Sequence, residues 1–374
     1  MYLERLASTR QRPPTLRQLR RYAIARSLFK ATSVPRAIAR LGFVQADPMR
    51  APARAQDLIL AQRVKDYRAG ELERRYPRLA IEEAFFINYG FLPRERLALL
   101  HPRGEPRAWD AWDSRMHARA QEVLAFVRQQ GRTHPKDVQA HFDHGRIKRW
   151  GGDLNVSKHL LEGMHYRGLL RVARREAGTR VYQAIEHPPQ DDSSEARRAR
   201  AGQLLDMVVQ LYAPLPAASL GYLCGLLRHG VPHLAAEVRQ VREHARSRYA
   251  HAQVDGLLWF WPQGEKLVAA RQLVDDRLCF LAPFDPVVWD RRRFQLFWGW
   301  EYKLEAYVPA HKRRMGHYAM PVLWGEQIVG WANLKVVDGR LQHRLGFAGP
   351  RPRGSAFRLA LDEALQQMHE FLQI

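Results

Sequence analysis

The stretch Asn155-Val156-Ser157-Lys158-His159-Leu160-Leu161-Glu162-Gly163-Met164-His165-Tyr166-Arg167-Gly168 runs into Leu169-Leu170-Arg171-Val172, then turns back through Arg174-Arg175-Glu176-Ala177-Gly178-Thr179 into Arg180-Val181-Tyr182-Gln183-Ala184. Asn155 suits an N-cap and Gly168 a left-handed stop. Between them the spacing predicts a helix over 156–167 that buries Leu160, Leu161 and Met164 and turns Lys158, His159, Glu162 and His165 outward. The two extended runs predict a β-hairpin carrying Arg174 and Arg175 at a basic tip. Upstream, a helix is expected from about Ser114 to Gln129, stopped at Gly131, and Thr133-His134-Pro135 opens another. Helix, helix, helix, hairpin is the order of a winged helix, with 156–167 as recognition helix and the hairpin as wing. Such modules hold duplexes and also serve as protein-interaction surfaces.

Working outward, Leu16, Leu19, Ala23, Ile24 and Leu28 predict an amphipathic helix over 15–30. Ser33, Pro35 and Gly42 bound a second over 34–41, which is half of another winged helix. Glu186 to Arg200, with paired prolines and aspartates, reads as a linker. Arg200–Leu211, Ala217–Leu227 and Val231–His244 read as helices, and Val254–Leu273 as a hairpin turning at Gln263-Gly264. From about Leu278 the period becomes two. Tyr302, Leu304, Ala306 and Val308 alternate with polar neighbours, Ala319–Trp324 and Gln327–Val337 flank Gly325-Glu326, and Asp338-Gly339 marks a further hairpin. Residues 355–372 return to helical spacing. The expected fold is therefore α+β. An N-terminal winged-helix region spans 1–112, a second winged helix 113–188, a third winged-helix-like unit 195–275, and a small antiparallel β-barrel or sheet with a capping helix 276–374.

The 60 Lys and Arg against 38 Asp and Glu leave a net charge of +22, which calls for a polyanion, and nucleic acid is the usual one. Arginine-rich coding produces a similar excess. Cys224 and Cys279 stand far apart with no Cys or His at metal spacing, which excludes a disulfide scaffold and a zinc ribbon and fits a reducing cytoplasm. Met1 to Arg10 lacks an apolar core, and Leu215–Leu227 is too short to span a bilayer, so a protein that is neither exported nor membrane-bound is expected. There is no glycine-rich phosphate loop, zinc signature or nucleophile elbow, so neither a metal nor a nucleotide cofactor is expected.

One short segment carries chemistry. In Phe43-Val44-Gln45-Ala46-Asp47-Pro48 an extended chain points Gln45 and Asp47 to the same side, where a carboxamide and a carboxylate can hold one water. The same residues also suit a strand end at which Asp47 caps the helix after Pro48.

Phe43-Val44-Gln45-Ala46-Asp47, with Ala53-Arg54 and Leu58-Ile59-Leu60, resembles the catalytic region of the YcaQ/AlkZ family of winged-helix DNA glycosylases. A longer likeness runs from Ala282-Pro283-Phe284-Asp285-Pro286-Val287-Val288-Trp289-Asp290-Arg291-Arg292 to Tyr302-Lys303-Leu304-Glu305-Ala306-Tyr307-Val308-Pro309 and Lys312-Arg313. It extends loosely over nearly the whole chain and implies tandem winged helices and a C-terminal β-barrel forming a concave DNA cradle.

What the resemblance implies is hydrolysis of N7-alkylated purine nucleosides in double-stranded DNA and unhooking of nitrogen-mustard interstrand crosslinks, without strand cleavage. Asp47 would activate water and stabilise an oxocarbenium-like transition state, and Gln45 would orient the water. Candidate phosphate contacts are Arg54, Lys158, His159, Arg174, Arg175, Arg291, Arg292, Arg293, Lys312, Arg313 and Arg314, each of which also reads as part of a solvated basic face. Asn88, Trp289 and Tyr302 are candidate lining residues. In Phe86-Ile87-Asn88-Tyr89-Gly90-Phe91-Leu92-Pro93, Asn88 stands where YcaQ-like sequences carry an acid. A monomer working at the nucleoid is expected. The competing readings are a non-catalytic winged-helix regulator and a protein that only binds lesions, both indifferent to loss of Asp47.

Overall fold

The computed structural model describes residues 13–103, 112–142, 144–149, 152–267 and 276–374; the reading of Met1 to Arg10 lies outside them. The first stretch holds α1 (Leu16–Ser27), α2 (Val34–Leu41), β1 (Val44–Gln45), α3 (Ala55–Ala61), α4 (Glu71–Arg75), β2 (Ile81–Phe85), β3 (Tyr89–Pro93) and α5 (Leu97–Leu100). The second holds α6 (Ser114–Gln130), α7 (Pro135–His141), β4 (Arg146–Arg149), β5 (Gly152–Asn155), α8 (Val156–Arg167), β6 (Leu170–Glu176) and β7 (Thr179–Ala184). The third holds α9 (Ser194–Tyr212), β8 (Leu215–Pro216), α10 (Ala217–Gly230), α11 (Ala235–Glu243), α12 (Ala245–Arg248), β9 (Ala250–Val254) and β10 (Leu257–Trp261). The last holds β11 (Leu278–Phe280), α13 (Pro286–Trp289), α14 (Arg291–Trp298), β12 (Met320–Trp324), β13 (Gln327–Val337), β14 (Arg340–Phe347) and α15 (Ser355–Leu372).

Local signals explain much of this. Thr15 and Gln18 form a reciprocal capping box at the start of α1. Gly42 closes α2 at φ 78°, as its lack of a side chain permits. The Asn155 side chain accepts from the Lys158 amide, and Gly168 ends α8 in the left-handed region.

Several expectations change. The expected barrel is an open antiparallel sheet in the order β11-β12-β13-β14. Residues 302–308 form no strand: Glu305 folds back to accept the amides of Arg314, Met315 and Gly316 at 3.1, 2.7 and 3.1 Å, so the alternation there belongs to a loop. The third hairpin turns at Asp255-Gly256, both at positive φ, rather than at Gln263-Gly264, and residues 268–273 of the expected strand lie outside the described residues. The linker ends sooner, because Ser193 caps α9 and residues 194–200 are helical. His159 and His165 face inward at 7% and 8% exposure. The His165 ring is left neutral, its pKa lowered to about 4 chiefly by burial.

One apolar core runs from α1 to α15, and a second cluster joins Ile24 of α1 and Leu28 just past its end to Leu281, Val287, Val288, Phe294 and Tyr302. The C-terminal segment is thus packed directly onto the first helices. Arg63 and Asp285, both wholly buried, pair through two contacts of 2.8 and 2.9 Å, and Arg63 also donates to the Ser27 and Ile59 carbonyls. Every charge in this pair has partners, as burial requires. Because Asp285 also caps α13, the pair fixes α13 relative to α3 and the end of α1.

Candidate active site

Gln45 lies in β1, opposite Gly90 of β3. The approach is close: a Cβ on Gly90 would stand 2.3 Å from the Val44 carbonyl oxygen and 2.5 Å from the Phe43 ring. After Ala46, whose amide donates to the Tyr89 carbonyl at 2.9 Å, the strand pairing stops. The Asp47 amide donates to Gln56 Oε1 at 3.2 Å, and Asp47 Oδ1 accepts the Met49 amide at 2.9 Å. Asp47 therefore sits at a strand end in an Asx-type turn, with Oδ2 left for other work. Partial burial raises its carboxyl pKa, opposed by the Met49 N–H.

Across from β1, the buried Arg63–Asp285 pair sets α13, and Trp289 at its end donates from Nε1 to Gln45 Oε1 at 2.7 Å. This fixes the carboxamide's orientation, since the indole N–H is a donor only and holds the oxygen end toward Trp289, leaving the NH2 free of that contact. Trp289 packs against two tyrosines, Tyr212 with ring centroids 5.2 Å apart and Tyr222 with centroids 6.3 Å apart. A cavity of about 460 Å³ opens here, lined by Gln45, Asn88, Ser219, Tyr222, Phe284, Trp289, Asp290, Arg291 and Arg292. Asn88 reaches it from the loop between β2 and β3, where the Phe86 amide donates to the Asn88 carbonyl at 2.9 Å.

Tyr302 does not line the cavity. It is 1% exposed, its hydroxyl donates to the Ala319 carbonyl at 2.6 Å, and its ring backs the Arg291 guanidinium at 4.4 Å. The Tyr318 hydroxyl is buried without a hydrogen-bond partner among the described residues; burial raises its pKa and the nearby Asp47 charge adds to the rise.

The expected phosphate contacts divide. Lys158, Arg292, Lys312 and Arg314 are exposed, and Arg313 is half-buried with its Nε on the Val308 carbonyl at 2.7 Å. Arg293 is wholly buried, donating to the Tyr212, Pro286 and Val287 carbonyls, so it cannot meet a phosphate. Arg291 donates to the Val288 and Pro283 carbonyls and contributes charge only at the cavity wall. Burial likewise takes His159 off the surface. Nor is the hairpin tip free. Arg175 grips buried Glu83 with contacts of 2.7 and 2.6 Å, the Gly178 amide donates to Glu73, Arg54 pairs with Glu73, and Arg174 with Glu176 at 2.6 Å. Arg175 and the Gly178 amide tie the hairpin to the first stretch of the chain, whereas Arg174 is paired within β6 itself.

Sequence reasoning missed Ser219, Tyr222, Phe284 and Asp290 as lining residues. Tyr222 left a signal: it falls off the apolar stripe of Leu220, Leu223, Cys224 and Leu227 on α10 and is 59% exposed.

The fold and the sequence both have known counterparts. The structure superposes on that of the Streptomyces sahachiroi DNA glycosylase AlkZ with a TM-score of 0.64, at 13% identity, over 96% of this chain and 97% of that one. A likeness at that identity speaks for the fold. The sequence profile of the family described as DNA glycosylase AlkZ-like matches residues 38–371, nearly the entire chain and both walls of the cavity. The chain belongs to the AlkZ-like DNA glycosylase family.

Proposed function

We propose that this chain is a monofunctional glycosylase that hydrolyses the N-glycosidic bond of N7-alkylated purines in duplex DNA, as single adducts and as nitrogen-mustard crosslinks, with Asp47 and Gln45 at the reacting centre. The observation that carries this reading is the pinned carboxamide of Gln45 on the cavity wall, with a carboxylate of raised pKa two residues away at the end of the same strand. A purine alkylated at N7 is already cationic, so it leaves without a proton donor. The C1′–N9 bond breaks, its electron pair neutralises the ring, and the sugar approaches an oxocarbenium ion beside the Asp47 carboxylate. Water then bonds to C1′ and gives its proton to Asp47 Oδ2, while the Gln45 NH2 orients the water oxygen. No covalent intermediate forms, so the strand stays intact. We read the helix–hairpin stretches as winged helices that hold the duplex, with exposed Arg292, Lys312 and Arg314 on its phosphates.

The test is release of 7-methylguanine from labelled duplex by wild type and Asp47→Asn. The amide keeps the Met49 contact and the shape but is no base, so DNA binding should persist while the rate falls roughly 10²- to 10⁴-fold. Equal rates would remove Asp47 from the mechanism.

A further inference from the structure

Two polar groups in the cavity have no work in this mechanism. Asp290 is 6% exposed; its Oδ1 caps α14 by accepting the Arg293 amide at 3.2 Å, and its Oδ2 has no hydrogen-bond partner among the described residues. Ser219, on α10 and 2% exposed, has an equally unpartnered hydroxyl. Buried polar atoms are nearly always satisfied, and a charged one left alone is costly unless something visits it. Both residues line the same cavity as Gln45. That cavity also presents π-faces: Tyr222 is 59% exposed at its wall, its ring plane 32° from that of Trp289. A volume of about 460 Å³ lies in the range of small-ligand pockets.

Resting on the glycosylase reading above, we propose that this cavity receives the damaged base against Tyr222 and Trp289, and that Asp290, assisted by Ser219, selects guanine by its Watson–Crick edge. An ionised carboxylate only accepts. Guanine offers N1–H and N2–H donors there, whereas adenine offers a lone pair at N1, which a carboxylate repels. Alkylation at N7 makes the guanine ring cationic, strengthening N1–H as a donor to the Asp290 oxygen that lacks a hydrogen-bond partner among the described residues. The terminal torsion of aspartate is soft, so a small rotation brings Oδ2 onto a donor while Oδ1 keeps the cap. The Ser219 hydroxyl can donate to O6 beside it. Stacking on Tyr222 holds the base without regard to its identity, leaving discrimination to the edge.

The experiment uses duplex DNA treated with dimethyl sulfate, which carries 7-methylguanine and 3-methyladenine together, and measures both released bases by chromatography for the full-length protein. Wild type should favour 7-methylguanine. Asp290→Asn keeps an oxygen for the α14 cap but turns an N–H toward the base, so 7-methylguanine release should fall roughly 10- to 100-fold with 3-methyladenine release little changed. Ser219→Ala should lower 7-methylguanine release several-fold without lowering the melting temperature, since removing an unpartnered buried hydroxyl leaves nothing unsatisfied. If both bases fall equally in Asp290→Asn, or neither falls, the edge-reading role is overturned while the glycosylase reading stands. If wild type releases neither base, the glycosylase reading fails and the proposal falls with it.

Discussion

Gln45 matters because its orientation is imposed. A glutamine amide on a cavity wall could present either end, but the 2.7 Å bond from Trp289 Nε1 to Oε1 sets which end faces the indole and leaves the NH2 as the donor for a water or substrate oxygen. Trp289→Phe keeps a ring between Gln45 and Tyr212 and deletes the donor. The expected loss is that of one neutral hydrogen bond, ~1 kcal/mol or about fivefold in kcat with KM nearly constant; a KM effect alone would show Trp289 acting as a binding surface instead. Asp47 sets the pH response. Burial raises its pKa, with the Met49 N–H opposing, and only the ionised form takes a proton. The rate should therefore fall on acidification through a pKa above the ordinary aspartate value, and that limb should vanish in the residual activity of Asp47→Asn. A single-turnover pH profile decides this, and a limb at or below the ordinary value would contradict the assigned base.

Elements were legible wherever a local signal set them. Residues 34–41 between Ser33 and Gly42, the turns at Gly325-Glu326 and Asp338-Gly339, and the helix over 355–372 all stand where spacing and turn chemistry put them. What escaped were elements made by distant partners. Strand β2 carries Glu82 and Glu83 at 1% exposure each, charges that argue against a buried strand until Arg94, Arg171 and Arg175 arrive from elsewhere to pair with them. Gln45 reaches the cavity wall from a short local strand, whereas Asp47 lies past its end, in a turn held by Gln56 and the Met49 amide and outside the cavity's lining residues, and Ser219, Tyr222 and Asp290 join Gln45 only through tertiary packing. The β1–β3 contact itself is testable. Gly90→Ala puts a methyl against the Val44 carbonyl and the Phe43 ring, so β1 must move. Overpacking of this kind costs about 1–3 kcal/mol, and because Gln45 is the residue paired with Gly90, base release should fall further than the loss of folded protein explains. Denaturant melts alongside rates per folded molecule separate the two; a normal rate per folded molecule would mean that the wall tolerates the shift.

At the scale of the whole molecule, the +22 charge does not act as one surface. Much of the arginine excess is internal mortar: Arg63 on Asp285, Arg175 on Glu83, Arg171 on Glu82 and Arg293 on three carbonyls. These lock the first stretch of the chain to the hairpin and to the last, and so hold the two walls of the cavity in register. Only exposed cations can release counterions from DNA, so sequence counts overstate the electrostatic grip. Arg292, on the cavity wall, and Lys312 and Arg314, on the loop that Glu305 gathers, are exposed and lie in the segments flanking the site. Replacing all three with alanine should lower affinity for any duplex, damaged or not, and flatten the plot of log K against log salt by about 2.7, at roughly 0.9 for each phosphate no longer neutralised. Arg293→Ala should leave the slope unchanged and instead lower stability by several kcal/mol, since it removes a buried cation that ties α14 to the Tyr212 and Pro286 carbonyls. Fluorescence anisotropy over a salt series, with a thermal melt of each variant, distinguishes the cases. An unchanged slope in the triple variant would move the phosphate path away from the cavity mouth, and with it the orientation of DNA assumed for the reaction.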